Sequence, residues 1–236
     1  MLENTSITDT TGIMIWGVKM AKKCLIIYSS YTGNTEKVAN RFKSTFERNG
    51  WACDIYKIRK NADDILRPPF NPDNYDFLCA GSGLCAHLPY NEILNVLRRF
   101  RLGMDPRIAL RYRDETIPYI KEPVPKMPSP DKDPNIMKHH HKIVLGPDSK
   151  KAIVFATYGG YEFGPVEALP AMQLLALEIE HINFKVIGQF CCPGRFLNSP
   201  TPQTFHGDIR DRPNEQDLLK AEMFIEEKLE EITERK

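Results

Sequence analysis

The chain lacks the spacings by which cysteine usually announces its work. It has six cysteines but no CxxC pair and no cysteine–histidine spacing of the kind a zinc site uses. Two of the six fall in apolar runs that read as buried strands, which implies reduced thiols in a cytoplasmic protein rather than a disulfide frame. An excess of charge is also missing. The formal net charge is +1, so composition calls for neither a nucleic-acid nor a membrane-surface partner. No apolar run approaches the roughly 18 residues of a membrane span, and the short apolar patch at residues 13–18 has no basic lead-in of the secretory kind. No GxGxxG fingerprint, no P-loop lysine and no internal repeat is present.

What remains is a 236-residue chain long enough to bury a sizeable core. "MAKKCLIIY", from Met20, reads as a basic lead-in to a first strand. Residues 1–19 are then an extension expected to be disordered; the rival reading is an ordered arm packed through Ile13, Ile15 and Trp16. From residue 22 onward the pattern alternates between two periods. Strands are expected at 24–28, 51–58, 76–80, 151–156 and 186–191, and helices at 35–49, 92–102, 166–182 and 215–232, the last capped by Asn214. Strands that alternate with helices imply a parallel sheet covered on both faces. Residues 103–150 break the rhythm: they are proline-rich and charged, and they read as an irregular insertion in a single domain spanning 20–236, with a short hairpin near 142–145.

The stretch that carries chemistry is "IIYSSYTGNTEKVANRF", residues 26–42. A strand that ends in small hydroxyl residues and opens a helix aims several backbone N–H groups at one spot, where the helix terminus adds partial positive charge. Such a spot binds an anion. Gly33 permits close approach, while Ser30, Thr32 and Thr35 add hydroxyl donors; without a lysine, a phosphate monoester fits better than a polyphosphate. The bland alternative is a Ser/Thr-rich turn that only caps the helix.

Ser30-Tyr31-Thr32-Gly33-Asn34-Thr35 resembles the phosphate-binding signature of the flavodoxin-like family, a small hydroxyl residue followed by x-T-G-x-T after the first strand. The resemblance covers residues 20–102 and 151–236. It implies a three-layer, doubly wound five-stranded parallel sheet in the order 2-1-3-4-5, with FMN bound where that order reverses. Two further loops, residues 81–90 and 157–165, would then meet the flavin ring. The resemblance assigns Ser82, Gly83 and Leu84 to one side of the ring and Thr157, Tyr158, Gly159, Gly160 and Tyr161 to the other. Tyr158 and Tyr161 are expected to cover a ring face, and Gly83 or Gly159 is the peptide placed to turn over beside the ring. Many family reductases carry a proline and an aromatic after Gly-Ser; this chain has Gly83, Leu84 and Cys85 instead.

Three other features carry less. Consecutive rings at His139-His140-His141 cannot easily converge on one ion, so no metal is expected. Cys191-Cys192 is a poor disulfide candidate. Cys85 and His87 lie in the second ring loop without a spacing that fixes a role. Function is therefore read as electron transfer by an FMN flavoprotein between a redox protein partner or nicotinamide donor and an acceptor. The alternatives are an NAD(P)H-dependent FMN reductase or quinone-type oxidoreductase acting on a small molecule, and a non-redox binding module that has lost flavin. The oligomeric state and the question of enzyme or carrier stay open. A phospho-receiver reading needs an acidic cluster at the strand ends, and Asp76 alone does not supply one.

Overall fold

The computed structural model describes residues 6–8, 14–16, 21–100, 145–159, 163–195, 203–204 and 207–234. Two short strands, β1 (Ser6–Thr8) and β2 (Met14–Trp16), pair antiparallel within the N-terminal extension. The body follows as β3 (Lys23–Ser29), α1 (Asn34–Arg48), β4 (Ala52–Lys57), α2 (Ala62–Leu66), β5 (Phe77–Cys85), β6 (Leu88–Pro89) and α3 (Asn91–Arg99). After the undescribed stretch come β7 (Lys150–Tyr158), α4 (Leu169–Glu180), β8 (Phe184–Pro193), the short pair β9 (Gln203–Thr204) and β10 (Gly207–Asp208), and α5 (Glu215–Glu234).

The central sheet runs β4-β3-β5-β7-β8, every neighbour parallel, with β6 folded back on the end of β5. In chain order this is 2-1-3-4-5, as expected. Both faces are covered because alternate residues of the same strands are apolar in both directions. Leu25, Ile27, Leu78, Ala80, Ala152 and Val154 pack against α3 and α4 through Ile93, Leu97, Leu175 and Ile179. Cys24, Ile26, Phe77, Cys79, Ile153 and Phe155 pack against α1 and α5 through Val38, Phe42, Ala221 and Ile225. Three layers result.

The third strand differs from its expected extent. It continues through Gly81, Ser82 and Gly83 to Cys85, where the sequence reads as loop. Glycine and serine have little strand preference of their own, but each backbone is claimed from a neighbouring strand: Ser82 pairs with Ser29 of β3 and Gly83 with Thr157 of β7. The long helix expected at 166–182 also divides, into a 3-10 turn at Gly164–Ala168 and then α4, with Pro170 near its start. The hairpin expected near 142–145 lies almost wholly outside the described residues. Asn214 caps α5, accepting from the backbone N–H groups of Gln216 and Asp217, while Asp217 accepts in return from Asn214 N.

Candidate functional site

Three connections leave the carboxyl edge of the sheet side by side, from β3, β5 and β7. The first is the hydroxyl-rich loop. Gly33 stands at the N-cap of α1 with φ +81°, and no side chain caps the helix behind it. The first-turn N–H groups, which have no intrahelical acceptor, are left for something else. Ser30 Oγ accepts from Gly33 N at 3.1 Å, which folds the loop on itself and leaves the Ser30 hydroxyl hydrogen to donate. Space beyond Gly33 is open: a β-carbon there would meet nothing within 4 Å.

The loop is pinned from two other strands. Thr35 Oγ1 and Thr157 Oγ1 share a hydrogen bond of 2.8 Å, tying the start of α1 to the end of β7. Of the two hydroxyl hydrogens only one is used between them. Asn34 Nδ2 donates to Arg195 O at 2.8 Å, and Gly194 lies so close to that amide that a β-carbon would stand 2.8 Å from Asn34 Nδ2. Thr32 and Tyr31 are exposed, while Asn34 and Thr35 are buried beneath them.

At the second connection the chain turns back tightly. Leu84 pairs with Pro89 and Cys85 with Leu88, so Ala86 and His87 form a two-residue hairpin turn with φ 48° and 65°. Primed turns of this kind are usually made by asparagine and glycine, which is why no turn is legible here. Tyr90 then closes over the strand: its ring lies where a β-carbon on Gly83 would point, 2.8 Å away, and stacks on Tyr31 at 4.2 Å between centroids and 19° between planes. Ser82 Oγ bridges the turn, accepting from Tyr90 N at 2.9 Å and donating to Gly83 O at 2.7 Å.

The third connection opens at Thr157, Tyr158 and Gly159; Gly160 and Tyr161 lie outside the described residues. Tyr158 is only 3% exposed and packs in the core beside α3 and α4, so its ring does not stand free to cover a ligand face as expected. Burial raises its phenol far above the usual range, with the Cys191 and Cys192 thiols adding to the effect. The exposed large apolar side chains among the described residues are Tyr31, Leu88, Phe163, Val166 and Leu169, and also Leu177 on α4 and Leu219 and Met223 on α5. The first five belong to the three connections or to the first residue of α4, so apolar surface borders this edge of the sheet without being confined to it.

No family model and no curated protein matches the sequence. Among solved structures, a flavone reductase superposes with a TM-score of 0.50 at 12% identity, over 86% of this chain and 60% of its own length. A flavodoxin from the domain Archaea gives 0.47 at 11% identity, covering 89% of this chain and 99% of that one. A Streptococcus pneumoniae TIGR4 flavodoxin gives 0.46 at 12%, covering 86% and 95%. The strand order and the flavone reductase overlay agree. This chain has a flavodoxin-like fold.

In a flavodoxin-like fold the strand order reverses between β3 and β5, and ligands sit outside the carboxyl ends of the strands at that point. The first and second loops flank this switch, and Thr157 brings in the third. Ser30 to Thr35, Ser82 to Leu84, and Thr157 and Gly159 therefore gather at one edge. Sequence reasoning placed Tyr90 in the second loop without a role, whereas its ring joins the first two loops; it gave none to the buried pair Ser29 and Glu92 beneath them. Ser29 Oγ donates to Glu92 Oε1 at 2.5 Å, both residues fully or nearly fully buried. A signal for Glu92 is visible in "NEILNV", where a carboxylate stands one residue into an otherwise apolar helix start.

Charge around the first loop is otherwise balanced. Glu36, in the first turn of α1, pairs with Lys57 at 2.7 Å, and that bond holds its carboxyl below the ordinary range. Cys191 is pushed up to about 11 by burial, and Cys24 and Cys79 are raised in the same way. Cys85 is the one fully exposed thiol. Among the described residues no cluster of metal-ligating side chains occurs, and no helix is long and apolar enough to cross a membrane. His139 to His141 lie outside the described residues.

Proposed function

We propose that this protein is an FMN-binding flavoprotein that passes electrons between a redox partner and an acceptor. The observation that carries the reading is the start of α1: an uncapped helix terminus behind a left-handed glycine, with open space before it, at the switch point of the sheet. The residues present fit the cofactor. Ser30, Thr32 and Thr35 with the first-turn N–H groups of residues 34–36 offer neutral donors to a phosphate monoester, and no carboxylate of the loop opposes it, because Glu36 is paired with Lys57. Ser82, Gly83 and Leu84 on one side, and Thr157 to Tyr161 on the other, would border the ring. Bound FMN would supply reversible one- and two-electron chemistry. Tyr31, on the rim, and Tyr90, stacked on it, offer the flat aromatic surface such a ring prefers.

A second reading is favoured by the rim. Leu88, Phe163 and Val166 expose apolar surface rather than the charge that a docking face between redox proteins uses. That favours an NAD(P)H-dependent oxidoreductase whose planar substrate lies over the flavin. Anaerobic reduction of the FMN-loaded protein, followed by absorbance, separates the two. Bleaching by dithionite but not by NADH or NADPH supports the carrier. Direct bleaching by a nicotinamide supports the oxidoreductase. A protein that takes up no FMN contradicts both.

A further inference from the structure

A fourth connection reaches the first loop. β8 ends at Pro193, and the next two residues lie against the start of α1. Gly194 N donates to Tyr158 O at 2.8 Å, and the close approach of Gly194 to Asn34 leaves no space for a β-carbon between them. Arg195 is fixed through both of its backbone groups: its N–H donates to Arg212 O at 2.8 Å, and its carbonyl accepts from Asn34 Nδ2 at 2.8 Å. Asn34 immediately follows Gly33, the glycine at the N-cap of α1 with open space beyond it. From there the long side chain of an arginine can reach over that space.

That side chain is the part of Arg195 left unused. Two other arginines of the same connection are paired, Arg210 with Asp208 and Arg212 with Asp217. Arg195 is exposed, and it takes part in no ion pair among the described residues. The first loop, in turn, lacks a cation of its own. Its hydroxyls and first-turn N–H groups are neutral donors, and Lys57 is taken by Glu36 at 2.7 Å. A phosphate monoester carries between about −1.5 and −2 charges at pH 7, and a guanidinium can hold two of its oxygens at once. A backbone tethered at both groups lowers the cost of ordering that side chain on a ligand.

We propose that Arg195 is a further cofactor-binding residue: its guanidinium pairs with the phosphate from outside the first loop, so that the site selects phosphorylated flavin over flavin without phosphate. The inference rests on the FMN reading above. Because the pair lies at the surface, salt screens it.

The test is fluorescence titration of FMN, and of riboflavin, which has the same ring and no phosphate, with the wild type and Arg195→Gln at low and high salt. The exposed position keeps its backbone bonds in the variant. The wild type is expected to prefer FMN. Arg195→Gln should weaken FMN binding about tenfold at low salt and leave riboflavin within about twofold. High salt should weaken FMN binding to the wild type far more than to the variant. Unchanged FMN affinity in Arg195→Gln overturns the proposal. An equal loss for both flavins overturns it too, since that marks a merely structural role, and so does a wild type that binds the two flavins alike. Should riboflavin bind too weakly to titrate, equal salt dependence in the two proteins overturns it instead. A wild type that binds neither flavin would show that the FMN reading itself is wrong.

Discussion

At Gly81 an added β-carbon would meet the Phe155 ring at 2.2 to 2.5 Å, while at Gly33 it would meet nothing within 4 Å. The two glycines therefore have different reasons to be glycine. Phe155 is fully buried and is packed edge-on against Phe42 at 4.9 Å, so it has no room to yield. Gly81→Ala is expected to destabilise the fold by about 2–3 kcal/mol, lowering Tm by roughly 4–12 °C in a thermal scan; an unchanged Tm would show that the ring moves freely. Thiol chemistry is a second residue-scale expectation. Cys85 is exposed while the other five are buried or half-buried, and burial raises Cys24, Cys79, Cys191 and Cys192. Mass spectrometry after brief maleimide treatment at pH 7 should find Cys85 labelled first. Early label on Cys191 or Cys192 would contradict the packing at the end of β8. The first-loop residues were legible because hydroxyl side chains around a glycine between a strand and a helix have few other uses. Glu92 was not, because one acidic residue near a helix start is commonplace until the burial around it is known.

Among the elements, the five sheet strands were legible to within a few residues, since burial on both faces writes an uninterrupted apolar run. The exceptions follow from tertiary contact. Residues 81–85 became strand because β3 and β7 claim their backbone, and the turn at Ala86 and His87 carries none of the usual residues for its shape. The start of α5 was read correctly from Asn214, although the reciprocal bond from Asp217 was not foreseen. Asn214→Ala should cost about 1 kcal/mol in chemical denaturation; no loss would mean that Asp217 alone holds the helix start. For an insertion at residues 103–150 of the flavodoxin-like fold, replacing residues 106–147 with a short linker should leave FMN affinity within a few-fold of wild type. Loss of folding would make that segment part of the core.

For the whole molecule, a parallel sheet covered on both faces leaves its carboxyl edge as the place where three connections, an uncapped helix terminus and an apolar rim can meet. The tie between Thr35 and Thr157 makes one assembly of connections far apart in sequence. Surface charge adds little to its stability. Glu36 and Glu222 are held below the ordinary carboxylate range, by Lys57 and by Arg41 respectively. Their contribution is therefore present above the unfolded value of about 4.3 and is lost as pH falls through the lowered folded values. Because these are pairs at the surface, with the Glu36 side chain 38% and the Glu222 side chain 18% exposed, each adds little, and the Tm should be nearly flat from pH 6 to 8 and fall below about pH 4.

The most direct test of the site is titration of FMN fluorescence with the purified wild-type chain and with Thr32→Glu, which places a carboxylate against the phosphate position. The wild type should quench one FMN per chain, and the variant should leave the fluorescence unquenched under the same conditions. No quenching by the wild type, or equal quenching by both proteins, would contradict the assignment of FMN phosphate to the loop at residues 30–35.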